Sequence, residues 1–238
     1  SSDYLTWTPS GAGSTTIATV SCWVKRNKIA TQQYILFAGR NATPAEGFTI
    51  AFDANDKLNF AIHNGSAYVL QKISTAVYRD TSAWMHILAL FNTVSGANKF
   101  YVNGVEITAW ATNTNASSSE AIYLHSAQIH RVLAGSSGGS LAFYNSTYIA
   151  DLITIDGYAA SPSGFGETDS DTGIWVPKDP SEIEYSYDTY GSDVVTSGMS
   201  VTGTSSSSNL SNIVDGNTGT SGSTPNGGSS FVQIDLGS

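Results

Sequence analysis

Phe100-Tyr101-Val102-Asn103-Gly104-Val105-Glu106-Ile107 decides the fold class of this chain. Asn-Gly accepts the positive φ angles of a type I′ turn, so it joins two strands directly. The turn predicts Val102 opposite Val105 and Phe100 opposite Ile107, with all four side chains on one face. Immediately upstream, Trp84-Met85-His86-Ile87-Leu88-Ala89-Leu90-Phe91 is apolar at nearly every position, as expected of a central strand covered on both sides. Period-two alternation recurs elsewhere. Val20, Cys22 and Val24 alternate with Ser21, Trp23 and Lys25, and Phe48, Ile50 and Phe52 lead through Asp53 to Lys57 into Leu58, Phe60 and Ile62 as a second hairpin. Another strand is predicted over Tyr148 to Asp156, with Ile149, Ile153 and Ile155 on one side and Ala150 and Leu152 on the other. Helical periodicity is scarce and no strand-helix-strand rhythm appears. These signals predict an all-β protein, an antiparallel sandwich or jelly roll.

Composition agrees. Only 12% of the 238 residues are charged, against about 25% in an ordinary soluble domain. Polarity comes instead from 35 Ser and 25 Thr, which favour strands and turns over helices. Hydrophobic residues reach 40%, enough for a substantial core and against wholesale disorder. The net charge of −9 sits in the tail: residues 1–178 carry 10 basic and 12 acidic side chains, and residues 179–238 carry 7 acidic and no basic ones. A chain without a basic run lacks the electrostatic footprint of nucleic-acid binding. No apolar run approaches the ~20 residues of a membrane-spanning helix, so membrane insertion is not expected. The single cysteine, Cys22, lies inside an apolar alternation and reads as a small core residue. Asn-X-Ser/Thr triplets begin at Asn41, Asn64, Asn115, Asn145 and Asn209, a weak signal in so Ser/Thr-rich a chain.

Composition shifts after Trp175. Pro177 and Pro180 open a stretch containing Glu182, Glu184, Tyr185 and Tyr187, and from Gly191 Ser, Thr and Gly dominate. The expected organisation is a sandwich over 1–176, a linker over 177–190 and a further segment over 191–238.

Three stretches, Trp23-Val24-Lys25-Arg26, Tyr78 through Ile87, and Tyr101-Val102-Asn103-Gly104-Val105, resemble the laminin-G-like (concanavalin-A-like) jelly-roll module. Gly164-Phe165-Gly166-Glu167-Thr168-Asp169-Ser170-Asp171-Thr172-Gly173-Ile174-Trp175-Val176-Pro177-Lys178 is similar to the version of that module in virion proteins of marine and cyanobacterial tailed phages. The resemblance covers roughly residues 1–178 and implies that the chain starts inside the module's first strand. In the tail, Asn212-Ile213-Val214-Asp215-Gly216-Asn217-Thr218 and Phe231-Val232-Gln233-Ile234-Asp235-Leu236-Gly237 resemble the opening strands of a discoidin-like domain, here incomplete. In that family a Trp commonly follows the Asp-Gly motif, where this chain has Ser221-Gly222-Ser223.

Candidate chemistry is sparse. Glu167, Asp169 and Asp171 would share one face of a strand, the arrangement of a glycosidase cleft, but a second Glu in register is missing and the intervening Thr168 and Ser170 are polar. The same carboxylates, Asp169 and Asp171 above all, form a candidate Ca²⁺ loop; Thr172 and Lys178 at the sixth and twelfth positions exclude the EF-hand form. The alternative is a solvated turn closed by Asx hydrogen bonds. The discoidin-like resemblance implies a second Ca²⁺ site at Asp215 and Thr220. His63, His86, His125 and His130 lack His-x-x-x-His spacing, and His86 is expected as a hydrogen-bonded core residue. Gly135-Ser136-Ser137-Gly138-Gly139 has neither the Lys nor the helix of a phosphate loop and reads as a flexible loop. Trp7, Tyr68, Trp110, Tyr144 and Tyr158 fall near predicted strand ends, where a ring can stack on a sugar or fill an interface.

Together these features lead to the expectation of a non-enzymatic, homo-oligomeric structural component at the surface of a tailed-phage virion, in capsid or tail, with other virion proteins as partners. The alternative is a carbohydrate-binding module for host surface glycan, and a more remote one is a glycoside hydrolase resting on the Glu167 cluster.

Overall fold

The computed structural model describes residues 4–40, 46–116, 119–137 and 139–178, together with the backbone of Phe231–Gln233. The early strands are β1 (Leu5–Trp7), β2 (Ile17–Lys25), β3 (Gln33–Arg40), β4 (Glu46–Phe52), β5 (Leu58–Asn64) and β6 (Tyr68–Ser74). There follow β7 (Met85–Asn92), β8 (Lys99–Val102), β9 (Val105–Glu106), β10 (Trp110–Thr114) and β11 (Ile129–Val132). The last are β12 (Gly135–Ser137), β13 (Ser140–Ala142), β14 (Tyr148–Asp156), β15 (Gly166–Thr168), β16 (Trp175–Pro177) and β17 (Phe231–Gln233). The chain divides into two compact units, residues 1–159 with 230–238, and residues 160–229.

The first unit is an antiparallel jelly-roll sandwich, as the alternation predicts. One sheet has seven strands in the order β1-β11-β3-β4-β5-β6-β10, and the other has six in the order β17-β14-β2-β7-β8-β9. Alternate residues face inward. Val20, Cys22 and Val24 of β2 and Ile87, Ala89 and Phe91 of β7 meet Phe48, Ile50 and Phe52 of β4 and Leu58, Phe60 and Ile62 of β5 in one buried core. Aromatic rings join the sheets: Phe60 stacks on Phe100 at 4.2 Å and Trp110 meets it edge-on at 5.7 Å, while Phe91, on the strand beside Phe100 in the same sheet, meets it edge-on at 5.3 Å. Cys22 is fully buried and its thiol is pushed up to about 12 by burial, which keeps it protonated and inert.

The Asn-Gly hairpin forms in the expected register. Asn103 and Gly104 have φ of 49° and 76°, Val102 pairs with Val105, and the Ile107 N–H donates to the Phe100 carbonyl at 2.7 Å. Val105 itself is exposed, because it lies on β9 at the edge of the sheet. β7 is buried on both faces from Met85 to Phe91, also as expected.

Two expectations need correction. In β14, Ile149 and Leu152 both pack on the core, whereas Ile153 and Ile155 face away from it. A bulge between Ala150 and Ile153, with Asp151 at φ 47°, inserts a residue and exchanges the faces midway. Gly135, Ser136 and Ser137 form a hairpin strand rather than a loop: β12 pairs with β13, and Gly135 lies against the Tyr34 ring so closely that a Cβ would sit 2.4 Å from it. The missing side chain is what admits the ring.

A polar cluster supports the sandwich beside β3. Arg26 is wholly buried over the Phe52 ring, donates from Nε to Gln33 at 2.8 Å, and pairs with Asp56 at 3.0 Å. Asp56 also accepts from Arg79 at 2.9 Å and from the Ala30 N–H at 2.6 Å. Burial pushes the Asp56 carboxyl up, but these hydrogen bonds outweigh it and hold the group below the usual carboxylate range.

The second unit is described over 160–178, where a 3₁₀ turn at Pro162–Gly164 leads into the β15-β16 hairpin. Of the expected linker, residues 179–190 lie outside the described residues. The expected discoidin-like segment over 191–238 does so too, apart from the backbone of β17, which pairs with β14.

Candidate functional site

The outward face of the seven-stranded sheet carries a cleft of about 200 Å³ lined by Tyr34, Phe37, Gly47, Thr49, Ala61, His63, Tyr68 and Ser136. Strand alternation produces it. Phe48, Ile50, Phe60 and Ile62 point into the core, so Gly47, Thr49, Ala61 and His63 must point out. Register then aligns them: Thr49 lies opposite Phe37 on one side and Ala61 on the other, and Gly47 lies opposite Gly39 and His63. The floor at Gly47 is bare backbone, since a Cβ there would sit 2.6 Å from the Ala38 carbonyl oxygen.

The walls are aromatic. Tyr34 is held between Gly135 and Phe143, the two rings stacked at 4.8 Å with planes 6° apart. Burial, the neighbouring Tyr68 and a hydrogen bond with Thr49 act on its phenol; the first two prevail and push it up to about 12, so it stays a neutral hydroxyl. Across the cleft Tyr68 is 49% exposed and meets the His63 ring edge-on at 4.8 Å. His63 Nδ1 accepts from the Gly65 N–H at 3.1 Å, so a neutral ring carries its proton on Nε2, as a donor. The cleft thus combines a half-exposed aromatic face with hydroxyl and imidazole groups.

The histidines divide by location. His86 is fully buried, bonded through Nε2 to the Ser21 hydroxyl at 2.8 Å and packed on Trp23 at 5.1 Å, the core residue that its strand predicts. Burial lowers it to about 4, so it is neutral. His130 packs on Trp7 at 4.9 Å, and His125 is lowered to about 4 by burial and by His130. Only His63 lines the cleft.

Glu167 lies on β15, but the strand ends at Thr168 and Asp169 begins a turn, so the three carboxylates do not line one strand face. Asp169 Oδ1 accepts from the Thr172 N–H at 2.7 Å, the Thr172 hydroxyl at 2.6 Å and the Asp171 N–H at 3.2 Å. Those bonds close an Asx turn and lower the Asp169 carboxyl. Asp171 is exposed beside it. Among the described residues no three His, Cys, Asp or Glu side chains converge as a metal site. Asp215 and Thr220 lie outside the described residues. Of the expected surface aromatics, Trp7 and Trp110 pack against the core, and Tyr144 meets Tyr4 at 5.7 Å. Tyr68 alone among them lines the cleft.

The model of the concanavalin A-like lectin/glucanases superfamily matches residues 1–139, more than half of the chain. The chain belongs to that superfamily. No curated protein matches it. Among solved structures, it is similar to the heptameric SAP-like pentraxin of Limulus polyphemus at 17% identity, covering 63% of this chain and 68% of that one with a TM-score of 0.46. It is similar to the binding domain of botulinum neurotoxin serotype D at 14% identity, over 68% of this chain and 38% of that one, with a TM-score of 0.48. For the Ruminococcus gnavus IT-sialidase CBM40 the identity is 12%, the coverage 63% and 80%, and the TM-score 0.44. The chain therefore spans well under two thirds of the botulinum chain's length.

Proposed function

We propose that this lectin/glucanase-superfamily chain is a non-enzymatic glycan-binding module, and that the cleft on the seven-stranded sheet receives one sugar ring. The observation that carries this reading is the pairing of half-exposed Tyr68 with the donors of His63, Thr49 and Tyr34 around a bare glycine floor. An aromatic face stacks on the apolar face of a pyranose while hydroxyl and imidazole groups exchange hydrogen bonds with its rim. The volume of about 200 Å³ falls short of the 300–1,000 Å³ of a typical drug-sized pocket and suits a single ring. All eight lining residues are uncharged or imidazole side chains, whereas glycoside hydrolysis takes a pair of carboxylates, which supports binding over catalysis.

The module's setting in this proposal is the surface of a tailed-phage virion, in capsid or tail, as a symmetric homo-oligomer beside other virion proteins, where it engages host surface glycan. The support is the likeness of Trp23 to Arg26 and of Gly164 to Lys178 to such virion proteins, with a charge-poor composition in line with the depletion of charge at interface cores. A glycan array probed with the purified protein tests the binding reading. Retention of particular glycans by the wild type and their loss in Tyr68→Ala are expected, and flat signal across the array refutes it. Immunolabelling of intact particles tests the setting, and particles without label refute that part.

A further inference from the structure

Beyond Phe37, the same outward face holds a buried guanidinium, that of Arg131, which has no ion-pair partner among the described residues. On the row that crosses the sheet, Thr6 of β1 pairs with Arg131 of β11, Arg131 with Phe37 of β3, and Phe37 with Thr49 of β4. Arg131 is therefore the cleft's neighbour, two strands from Thr49. Its side chain is 4% exposed, its guanidinium carbon lies 5.5 Å from the centre of the Phe37 ring, and its Nη1 is buried without a hydrogen-bond partner.

Among the described residues no carboxylate pairs with it. The strands around it, Leu5–Trp7, Gln33–Arg40 and Ile129–Val132, contain no Asp or Glu, and no ion pair among the described residues involves it. Arg26, the other buried arginine, shows the usual solution: it has Asp56, Gln33 and the Tyr78 carbonyl. A buried cation without a counter-charge is costly and is normally paired or replaced. Besides Phe37, two tyrosines act on the Arg131 charge. Tyr4 and Tyr144 approach each other at 5.7 Å, are 37% and 41% exposed, and bear on the guanidinium charge through their phenols.

We propose that Arg131, flanked by the hydroxyls of Tyr4 and Tyr144, is a second subsite that takes the carboxylate of an acidic sugar whose neighbouring ring occupies the cleft. A guanidinium presents a planar fork that matches a carboxylate through two parallel hydrogen bonds, and the Phe37 ring beneath it holds the fork in place. Rotation of Tyr4 and Tyr144 opens the way, both lying at the surface with half-free rings. The inference rests on the glycan-binding reading and narrows its ligand class to uronic or sialic acids.

The test titrates the full chain with glucuronate-, galacturonate- and N-acetylneuraminate-terminated oligosaccharides and with the carboxyl-reduced form of each. At least one acidic member is expected to bind roughly tenfold or more tightly than its reduced form, the scale of a charge-assisted hydrogen bond. Arg131→Gln closes that gap and leaves the reduced sugar's affinity unchanged, whereas Tyr68→Ala weakens both forms alike. Equal binding of acidic and reduced forms overturns the subsite and leaves the glycan reading standing; absence of binding by every sugar overturns both. Stability gives a second readout that needs no ligand. Arg131→Met, which removes the unpaired charge and keeps an apolar stem over Phe37, is expected to match or exceed the wild-type urea midpoint. A marked drop in that midpoint identifies Arg131 as a scaffold residue and overturns the proposal.

Discussion

The outward faces of the two sheets are opposites. On the six-stranded sheet, Thr19, Ser21 and Trp23 of β2, His86, Leu88 and Leu90 of β7, and Ile153 and Ile155 of β14 are all buried. Its polar groups are absorbed internally: Ser21 bonds His86, and the Thr19 hydroxyl donates to the Tyr158 carbonyl at 2.7 Å. On the seven-stranded sheet the outward side chains of β4, β5 and β6 form an open cleft whose rim reaches solvent at Tyr68. Both sheets use the same alternation, so the difference lies in which second face is left open. A pattern of small, polar and aromatic residues on the open face is available for recognition, whereas a similar pattern on the covered face is structural. His63 and His86 are the clearest pair, each an outward-facing strand histidine, one in the cleft and one sealed.

The largest expected effect joins the two sheets. Phe100 touches Phe60 and Trp110 across the core and Phe91 within its own sheet, so Phe100→Ala is expected to cost about 4 kcal/mol in urea denaturation, and a loss below ~1 kcal/mol would break the picture of one shared core. Next comes acid sensitivity on the covered side. His86 has a folded pKa of about 4, below the ~6.5 of an unfolded histidine. Below pH 6.5 the unfolded chain therefore takes up a proton that the folded chain refuses until about pH 4, so stability is full above pH 6.5 and declines as pH falls between those values. His125 acts in the same direction. The combined fall is expected to be of order a few kcal/mol, and His86→Gln should flatten part of it in urea midpoints measured at pH 7 and pH 4.5.

On the open face the effects should appear in binding rather than stability. Tyr68→Ala is expected to weaken glycan binding by about 2 kcal/mol, as for an anchoring aromatic, while shifting stability by no more than ~0.5 kcal/mol. Calorimetry and denaturation of the same preparation separate the two. The smallest expected effect is Thr49→Val, which removes one hydroxyl and should weaken binding by ~1 kcal/mol. A stability loss exceeding its binding loss would recast the cleft as a structural feature.

Much of the sandwich was legible in local sequence because its signals are local. The Asn103-Gly104 turn and the alternation of Phe48 to Phe52 with Leu58 to Ile62 each fix their own register without distant partners. The bulge in β14 was not legible. It depends on Asp151 adopting a positive φ, and unbroken alternation placed Ile153 with Ile149. The β12-β13 hairpin was missed because its Gly-rich composition marks a loop, while its order comes from Tyr34 packing on Gly135 across 101 residues of sequence. The cleft was only half visible. Tyr68 stood out as a strand-end aromatic, but Tyr34, Thr49, His63 and Ser136 come together through pairing among strands distant in sequence. Arg131 gave no signal, because lack of a partner is a property of three-dimensional surroundings.

The most direct test of the central claim is an NMR titration of the histidine imidazoles with a glycan retained on the array. The His63 resonances are expected to shift progressively and saturate with the binding isotherm while those of His86 stay fixed. Saturable shifts at His86 with none at His63 would contradict it.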